Sequence, residues 1–421
     1  MARQMKESGV SWIGQVPVAW NVVRTKNCYT NNKQVVGEKA DNYERLALTL
    51  NGVIKRPKDD ATGLQPEAFN GYQILRENEL VFKLIDLANV STSRVGYSPY
   101  EGIVSPAYIV LHPNDATESR FGEYYFLSMW QREVFNHMGD DGVRSSLNTS
   151  DLLNVPYLLV PSEEKKKIVE YLDKKCTEID AVITKTKATI EEYKKLRQAI
   201  VTDAITKGIR TERPMKDSDN IWYGNIPTDW NICKIKYMFR IKKDIAGKEG
   251  YTILSITQKG VRPKNIASNE GQIAENYSNY QLVEPGDFAM NHMDLLTGWI
   301  DISQYSGVTS PDYRVFVLLD KENNYSKYYL YLMQICYSNR IFYGLGQGVS
   351  GMGRWRLQAD KFLNFTIPVP SYEEQKEIAD YLDTKCAEMD TLIARKTALL
   401  AEMETYKKSV IYEYVTGKKE V

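Results

Sequence analysis

Two stretches of the chain carry apolar residues at alternating three- and four-residue steps. In the first they are Ile168, Leu172, Cys176, Ile179 and Ile183, then Ile190, Tyr193, Leu196 and Ile200. In the second they are Ile378, Leu382, Cys386, Met389 and Ile393, then Leu400, Met403, Tyr406 and Val410. Charged residues dominate the remaining positions, and Gly and Pro are missing from both stretches. This spacing predicts two long helices, each with one apolar stripe. The stripe is a coiled-coil seam with a break near Thr186 and Lys396. Ser162 and Ser371 are the expected N-caps, followed by acidic residues that the helix dipole favours. Gly208 and Gly417 stand where a C-terminal glycine belongs. Each helix should run about 40–45 residues, roughly 60–68 Å at 1.5 Å per residue. Neither can bury its stripe alone. The economical partner is the other helix, and a pseudo-twofold would make the pair antiparallel.

Between these stretches the pattern shortens. Residues 43–50 and 251–257 read as strands, as do 79–85 with 287–293 and 103–111 with 308–319. Residues 115–138 and 324–345 read as helical runs rich in Tyr, Phe and Trp. Every element thus has a partner further along the chain. Met5-Lys6-Glu7-Ser8 recurs as Met215-Lys216-Asp217-Ser218. Trp12, Gly14, Pro17, Trp20 and Asn21 recur as Trp222, Gly224, Pro227, Trp230 and Asn231, always 210 residues later. Glu163, Tyr171-Leu172-Asp173, Cys176 and Asp180 recur at the same offset as Glu373, Tyr381-Leu382-Asp383, Cys386 and Asp390. A period this long means duplicated domains, not a solenoid. The predicted boundaries are 1–160, a mixed domain with its tryptophan lead-in; 161–210, a central helix; 211–370, the second mixed domain; and 371–421, a C-terminal helix. The fold class is α+β, two α/β domains joined by two long helices.

Composition removes several alternatives. The chain has 421 residues, is 43% hydrophobic and 26% charged, and can therefore bury substantial cores. No apolar run approaches a membrane span, and the first residues lack the apolar stretch of a signal peptide. Five cysteines without C-x-x-C spacing argue against a disulfide framework or a zinc site, which fits a reducing cytoplasm. The 54 basic and 54 acidic residues cancel, which neither requires nor excludes a basic face. No phosphate-binding loop, dinucleotide fingerprint or methyltransferase loop is present. Gly344-Leu345-Gly346-Gln347-Gly348 follows a helical run instead of a strand and reads as a flexible surface loop. His112, His137 and His292 are scattered, and Asp59-Asp60 and Asp140-Asp141 sit in turn-like contexts, so no catalytic set is expected.

Basic residues recur at matched places. Gly52-Val53-Ile54-Lys55-Arg56-Pro57-Lys58 follows the first predicted strand, and Gly260-Val261-Arg262-Pro263-Lys264 follows its counterpart. Solubilising turns would carry the same residues, but their recurrence favours phosphate contact, making Lys55, Arg56, Lys58, Arg262 and Lys264 candidate DNA-binding residues. A second pair of glycine-containing loops places Arg144 and Arg354 at the 210-residue offset, with Arg356 beside the latter. An arginine fork can grip guanine in the major groove, or it can anchor the loop to its own domain. Trp12, Trp20, Trp222 and Trp230 are expected in cores or against helices, not as base-stacking platforms.

The lead-ins Lys6-Glu7-Ser8 with Trp12-x-Gly14-x-x-Pro17-x-x-Trp20, and Lys216-Asp217-Ser218 with Trp222-x-Gly224-x-x-Pro227-x-x-Trp230, form one pattern with the helix openings and their Tyr-Leu-Asp. Over essentially the whole chain this pattern resembles the specificity subunit of type I restriction–modification enzymes. The resemblance implies that each mixed domain is a target recognition domain reading one half of a bipartite site on double-stranded DNA. It implies that the antiparallel helices set the gap between them. It implies two modification subunits that methylate adenine with S-adenosylmethionine, and two restriction subunits that use ATP and Mg. The cofactors would belong to those partners, and this chain would have no catalytic centre or cofactor of its own. Two other classes remain open: a coiled-coil scaffold that binds only protein, and a stand-alone DNA-binding regulator.

Overall fold

The computed structural model describes residues 3–60, 66–85, 87, 94–115, 117–138, 146–264, 276–348 and 355–421. They form two compact units, one of Met1–Lys187 with Ala398–Val421 and the other of Ala188–Thr397. The units divide beside Thr186 and Lys396, where the apolar seam breaks. The helices themselves continue through these positions, as Ser162–Lys207 and Tyr372–Val415. Each unit therefore holds half of each long helix.

In the first unit a four-stranded antiparallel sheet has the order Tyr29–Thr30, Ile109–Pro113, Leu80–Phe82, Val95–Tyr97. The second repeats it with Phe239–Lys242, Arg314–Leu318, Phe288–Met290 and Ile300–Ile302. Successive side chains of a strand face opposite sides, and here both sides are covered. Leu80, Phe82, Ile109 and Leu111 face a core shared with the Glu118–Gln131 helix and both long helices. Val81 and Val110 face a smaller cluster with Leu46, Leu48, Val53 and Val104. The second unit divides Phe288, Met290, Phe316 and Leu318 from Ala289 and Val315 in the same way. Two-sided burial explains why these strands read as continuous apolar runs instead of alternating ones.

Residues 103–111 and 308–319, expected as single strands, are each two. Gly102–Val104 and Ile109–Pro113 are separated by a turn closed by the Tyr108 amide on Ser105, and Gly307–Thr309 and Arg314–Leu318 by Tyr313 on Ser310. The prolines Pro106 and Pro311 fall in these turns and supply no ladder donor. Ser371 caps its helix by accepting the Glu374 amide at 3.3 Å, but Ser162 is the first helical residue and does not cap. The helices start at equivalent positions, but the Pro-Ser pair stands one position earlier in the second copy, so Tyr372 and not a serine opens that helix.

Within the first unit the two helix segments run in opposite directions. The tilted rings of Tyr171 and Tyr414 meet with centroids 4.3 Å apart, Asp180 pairs with Lys407 at 2.6 Å, and Lys187 pairs with Glu404 at 3.6 Å. In the second unit Arg197 pairs with Asp390 and Arg210 with Glu377, again antiparallel. Ile168, Leu172 and Cys176 join Val410, Ile411 and Val415 in one core; Val201, Ala204 and Ile205 join Ile378, Leu382 and Cys386 in the other. Burying each large apolar side chain contributes about 1.5–3 kcal/mol. No helix among the described residues is long and apolar enough to cross a membrane.

Candidate nucleic-acid interface

The lead-ins build the anchor of each unit. Met5–Glu7 pairs with Gln15–Pro17, and Asn21–Arg24 pairs with Pro156–Leu159, the strand that enters the first long helix. Trp20 is fully buried and donates its indole N–H to Glu164 in that helix's first turn at 2.8 Å; Arg3 closes the other side of the carboxylate at 2.5 Å. Trp230, Glu374 and Arg213 repeat the arrangement. The helix ends complete it. Gly417 has φ +67° and lies so close to Pro17 and Trp20 that a side chain there would collide with both. Gly208, φ +75°, sits over Trp230. Both deeply buried tryptophans are therefore packing residues, as expected, while Trp222 is partly exposed and lies against Gly344.

A second contact holds each sheet-bearing domain to the long helices. Arg120 pairs with Asp173, and the Tyr124 hydroxyl donates to the same carboxylate at 2.7 Å. Lys327 and Tyr331 do the same to Asp383, the latter at 2.8 Å. Burial and this hydrogen bond push both tyrosines well above their ordinary pKa, so both stay donors. The aspartates are those of the repeated Tyr-Leu-Asp. In the first unit a buried ion pair, Lys165 with Glu118, adds to this, and the Tyr157 hydroxyl donates to Glu118 at 2.6 Å.

On this frame each unit carries a hairpin, Leu46–Thr49 with Gly52–Lys55 and Leu254–Thr257 with Gly260–Pro263. The basic residues expected in loops thus begin on strands. Gly260, φ +94°, could not be replaced without a clash, because the Asp301 carboxylate approaches it to accept the Val261 amide at 3.0 Å. Lys55, Arg56 and Lys58 meet around one cleft of about 520 Å³ with Tyr43, Arg45 and Asp59. Lys55 pairs with Glu44 at 2.6 Å, Arg56 with Asp60 at 2.8 Å, and Lys58 donates to the Ala40 carbonyl at 2.7 Å. Arg45 and Lys58 also lie over the Phe69 ring, at 5.5 and 5.8 Å. Lys55 and Glu44 are each more than half exposed, and such pairs contribute little, so exchanging the partner for a phosphate costs little.

In the second unit Arg262 is exposed and its Nε donates to the Lys259 carbonyl at 3.0 Å. Lys264 continues the strand edge, its amide bonded to Ile253 at 2.8 Å. Arg356 is exposed beside Trp355, and its backbone pairs both ways with Gln347 at 3.0 Å. The structure does not bring Arg356 onto the hairpin. Arg144 and Arg354, like Asp140 and Asp141, lie outside the described residues. The glycines of 344–348 are not an open loop: a Cβ at Gly344, Gly346 or Gly348 would lie only 3.2, 2.7 or 3.0 Å from Trp222, Leu295 or Trp355. His112 is exposed and meets Glu79 at 3.2 Å, and His137 is exposed. All five cysteines are free thiols, and no metal-binding cluster occurs among the described residues.

Sequence reasoning missed Arg45, Arg94 and Arg314, all buried. The signal for Arg314 was present: it shares strand parity with Phe316 and Leu318, both core residues, so it points inward with them.

Comparison with known proteins agrees with this architecture. A family model described as type I restriction modification DNA specificity domain matches residues 227–401. The type I restriction enzyme MjaVIII specificity subunit of Methanocaldococcus jannaschii is 24% identical over 96% of this chain and 94% of its own length. A chain solved in work on complex assembly and conformational transition of the type I R-M system superposes with a TM-score of 0.69 at 13% identity, covering 96% of this chain and 99% of that one. The HsdS subunit from Thermoanaerobacter tengcongensis gives 0.50 at 13% identity, covering 98% and 100%. These two superpositions show a shared fold.

Proposed function

Since the chain belongs to the specificity-subunit family of type I restriction–modification systems, we propose that it selects a bipartite DNA target for a methyltransferase and nuclease complex and performs no chemistry itself. Each sheet-bearing domain reads one half-site. The two long helices form an antiparallel coiled coil, related by a pseudo-twofold, that fixes the gap between the half-sites. Two modification subunits, carrying S-adenosylmethionine, and two restriction subunits, using ATP and Mg, dock on the chain. The observation that carries this reading is the repeated Trp–Glu–Arg anchor. It seats two like frames, Trp20–Glu164–Arg3 and Trp230–Glu374–Arg213, one in each unit.

On this reading Lys55, Arg56, Lys58, Arg262 and Lys264 meet phosphates, giving affinity and register without sequence information. Arg356 acts alongside them. Arg144 and Arg354 reach base edges, each contributing about 1–3 kcal/mol if bidentate. The test is copurification from the host followed by deletion. A methyltransferase subunit should come down with this chain, and deletion should abolish one genomic adenine-methylation motif. Copurification without any change in methylation would make the chain a protein scaffold. Altered transcription with methylation intact would make it a stand-alone regulator.

A further inference from the structure

The second unit buries a polar pair, Arg314 and His292, that has no acidic partner among the described residues. Arg314 opens its strand facing inward, and His292 follows the neighbouring Phe288–Met290 strand; each is 5% exposed. Arg314 Nη2 donates to the Leu357 carbonyl at 3.0 Å, and the guanidinium lies over the Phe362 ring at 5.0 Å. Its Nη1 and the Nδ1 of His292 are buried with no hydrogen-bond partner among the described residues. Leaving such buried polar atoms unfilled is costly. Burial lowers the Arg314 pKa to about 10, with Tyr337 opposing and Arg356 reinforcing the shift. Burial, then Arg314 and Arg356, lowers His292 to about 3. The imidazole is therefore neutral, and the uncompensated charge here is positive.

The first unit shows that the fold does not need this pair. Its strand begins with Ile109 where the second has Arg314. Leu84 accepts the Leu147 amide at 2.9 Å as His292 accepts that of Leu357 at 3.0 Å. Both counterparts are buried and apolar. A buried cation in a place that an aliphatic residue fills elsewhere in the same chain is kept for a ligand of opposite charge.

We propose that Arg314 and His292 form a DNA-phosphate site in the second unit, with Arg314 Nη1 donating to a phosphodiester oxygen and the exposed Arg356 adding positive charge beside it. This rests on the reading of the chain as a DNA-binding subunit. An anion is favoured over a base edge because two guanidiniums and a neutral imidazole converge with no carboxylate among the groups that shift them. Both unfilled atoms are shielded in the free chain, so the phosphate enters through a local rearrangement and associates more slowly than with an exposed lysine patch.

The experiment measures affinity and its salt dependence for the chain purified with its modification subunits. Two duplexes are used, one carrying the methylome-defined target and one of random sequence. Arg314→Met should weaken both duplexes by roughly tenfold or more and reduce the slope of log K against log salt by about 1. Its melting temperature should hold or rise, because an unpaired buried charge has gone. Unchanged affinity and slope would overturn the proposal. So would a loss confined to the target duplex, which would make Arg314 a base reader. If Arg314→Met does not fold, His292→Leu, which copies the first unit's Leu84, decides: weaker binding to both duplexes supports the site, and unchanged binding overturns it. Failure of the unaltered complex to bind either duplex would instead defeat the DNA-binding reading itself.

Discussion

Trp230 donates its indole N–H to Glu374 at 3.0 Å, inside a contact where Glu374 is 1% exposed and also receives Arg213. The tryptophan of the lead-in and the acid of the helix opening, far apart in sequence, are one structural unit. Trp230→Phe should cost about 1–3 kcal/mol, because the carboxylate loses a buried donor. Glu374→Ala should cost more, about 3–5 kcal/mol, because the indole loses its buried acceptor and Arg213, only 12% exposed, loses its buried partner and keeps only the exposed Asp229. Urea denaturation of both variants checks the order; a smaller loss for Glu374→Ala would contradict it.

The helix-terminal glycines should differ. Alanine at either position is strained by about 1–2 kcal/mol in the left-handed region. At Gly417 the new Cβ also meets the rigid ring of Pro17 at 2.5 Å, whereas at Gly208 the nearest atoms, at 2.9 Å, are the flexible ends of Arg213 and Glu374. Gly417→Ala should lower the melting temperature more than Gly208→Ala, as calorimetry would show.

His292 makes stability depend on pH. Its folded pKa is about 3 against an ordinary 6.5, with Arg314 and Arg356 the charged groups facing it. The unfolded chain takes up the proton first as pH falls. The stabilisation from the neutral buried ring is therefore complete above about pH 6.5 and drains as pH falls toward 3. Between about pH 7.5 and 5.5 the loss should be on the order of 1 kcal/mol. His292→Leu should abolish that component; an unchanged pH dependence in the variant would assign it to other groups.

Much of this architecture was legible in the sequence because its signals are periodic or duplicated. The stripe from Ile168 to Ile200 can only be one face of a helix, and the 210-residue offset pairs Trp20 with Trp230. Chain reversals were less legible. An apolar run such as 103–111 does not announce that it turns, although its Ser-Pro does. The basic residues were found, but their local partners were not, because Glu44 and Ala40 reach Lys55 and Lys58 through tertiary packing. Arg314 was missed because a charged residue at a strand start reads as exposed unless its parity with Phe316 is followed.

The helices should behave as a ruler. Inserting four residues at 184–188, with four at the matching 394–398, adds roughly 6 Å of helix. With B-DNA rising 3.4 Å per base pair, the gap should lengthen by about one to two base pairs. Four residues approximate one turn and keep the seam in register, whereas two rotate it out of the interface and should inactivate. An active four-residue variant with an unchanged gap would remove the helices from that role.

The central claim is that two separate domains of this chain each dictate one half of a DNA target. Replacing residues 21–160 with the corresponding segment of another specificity subunit, then sequencing the methylated genome, tests it directly. The frame residues Trp20, Glu164 and Asp173 are retained in the exchange, and the second unit is untouched. One half of the methylated motif should change and the other should persist. A motif changed in both halves, or in neither, would contradict the account.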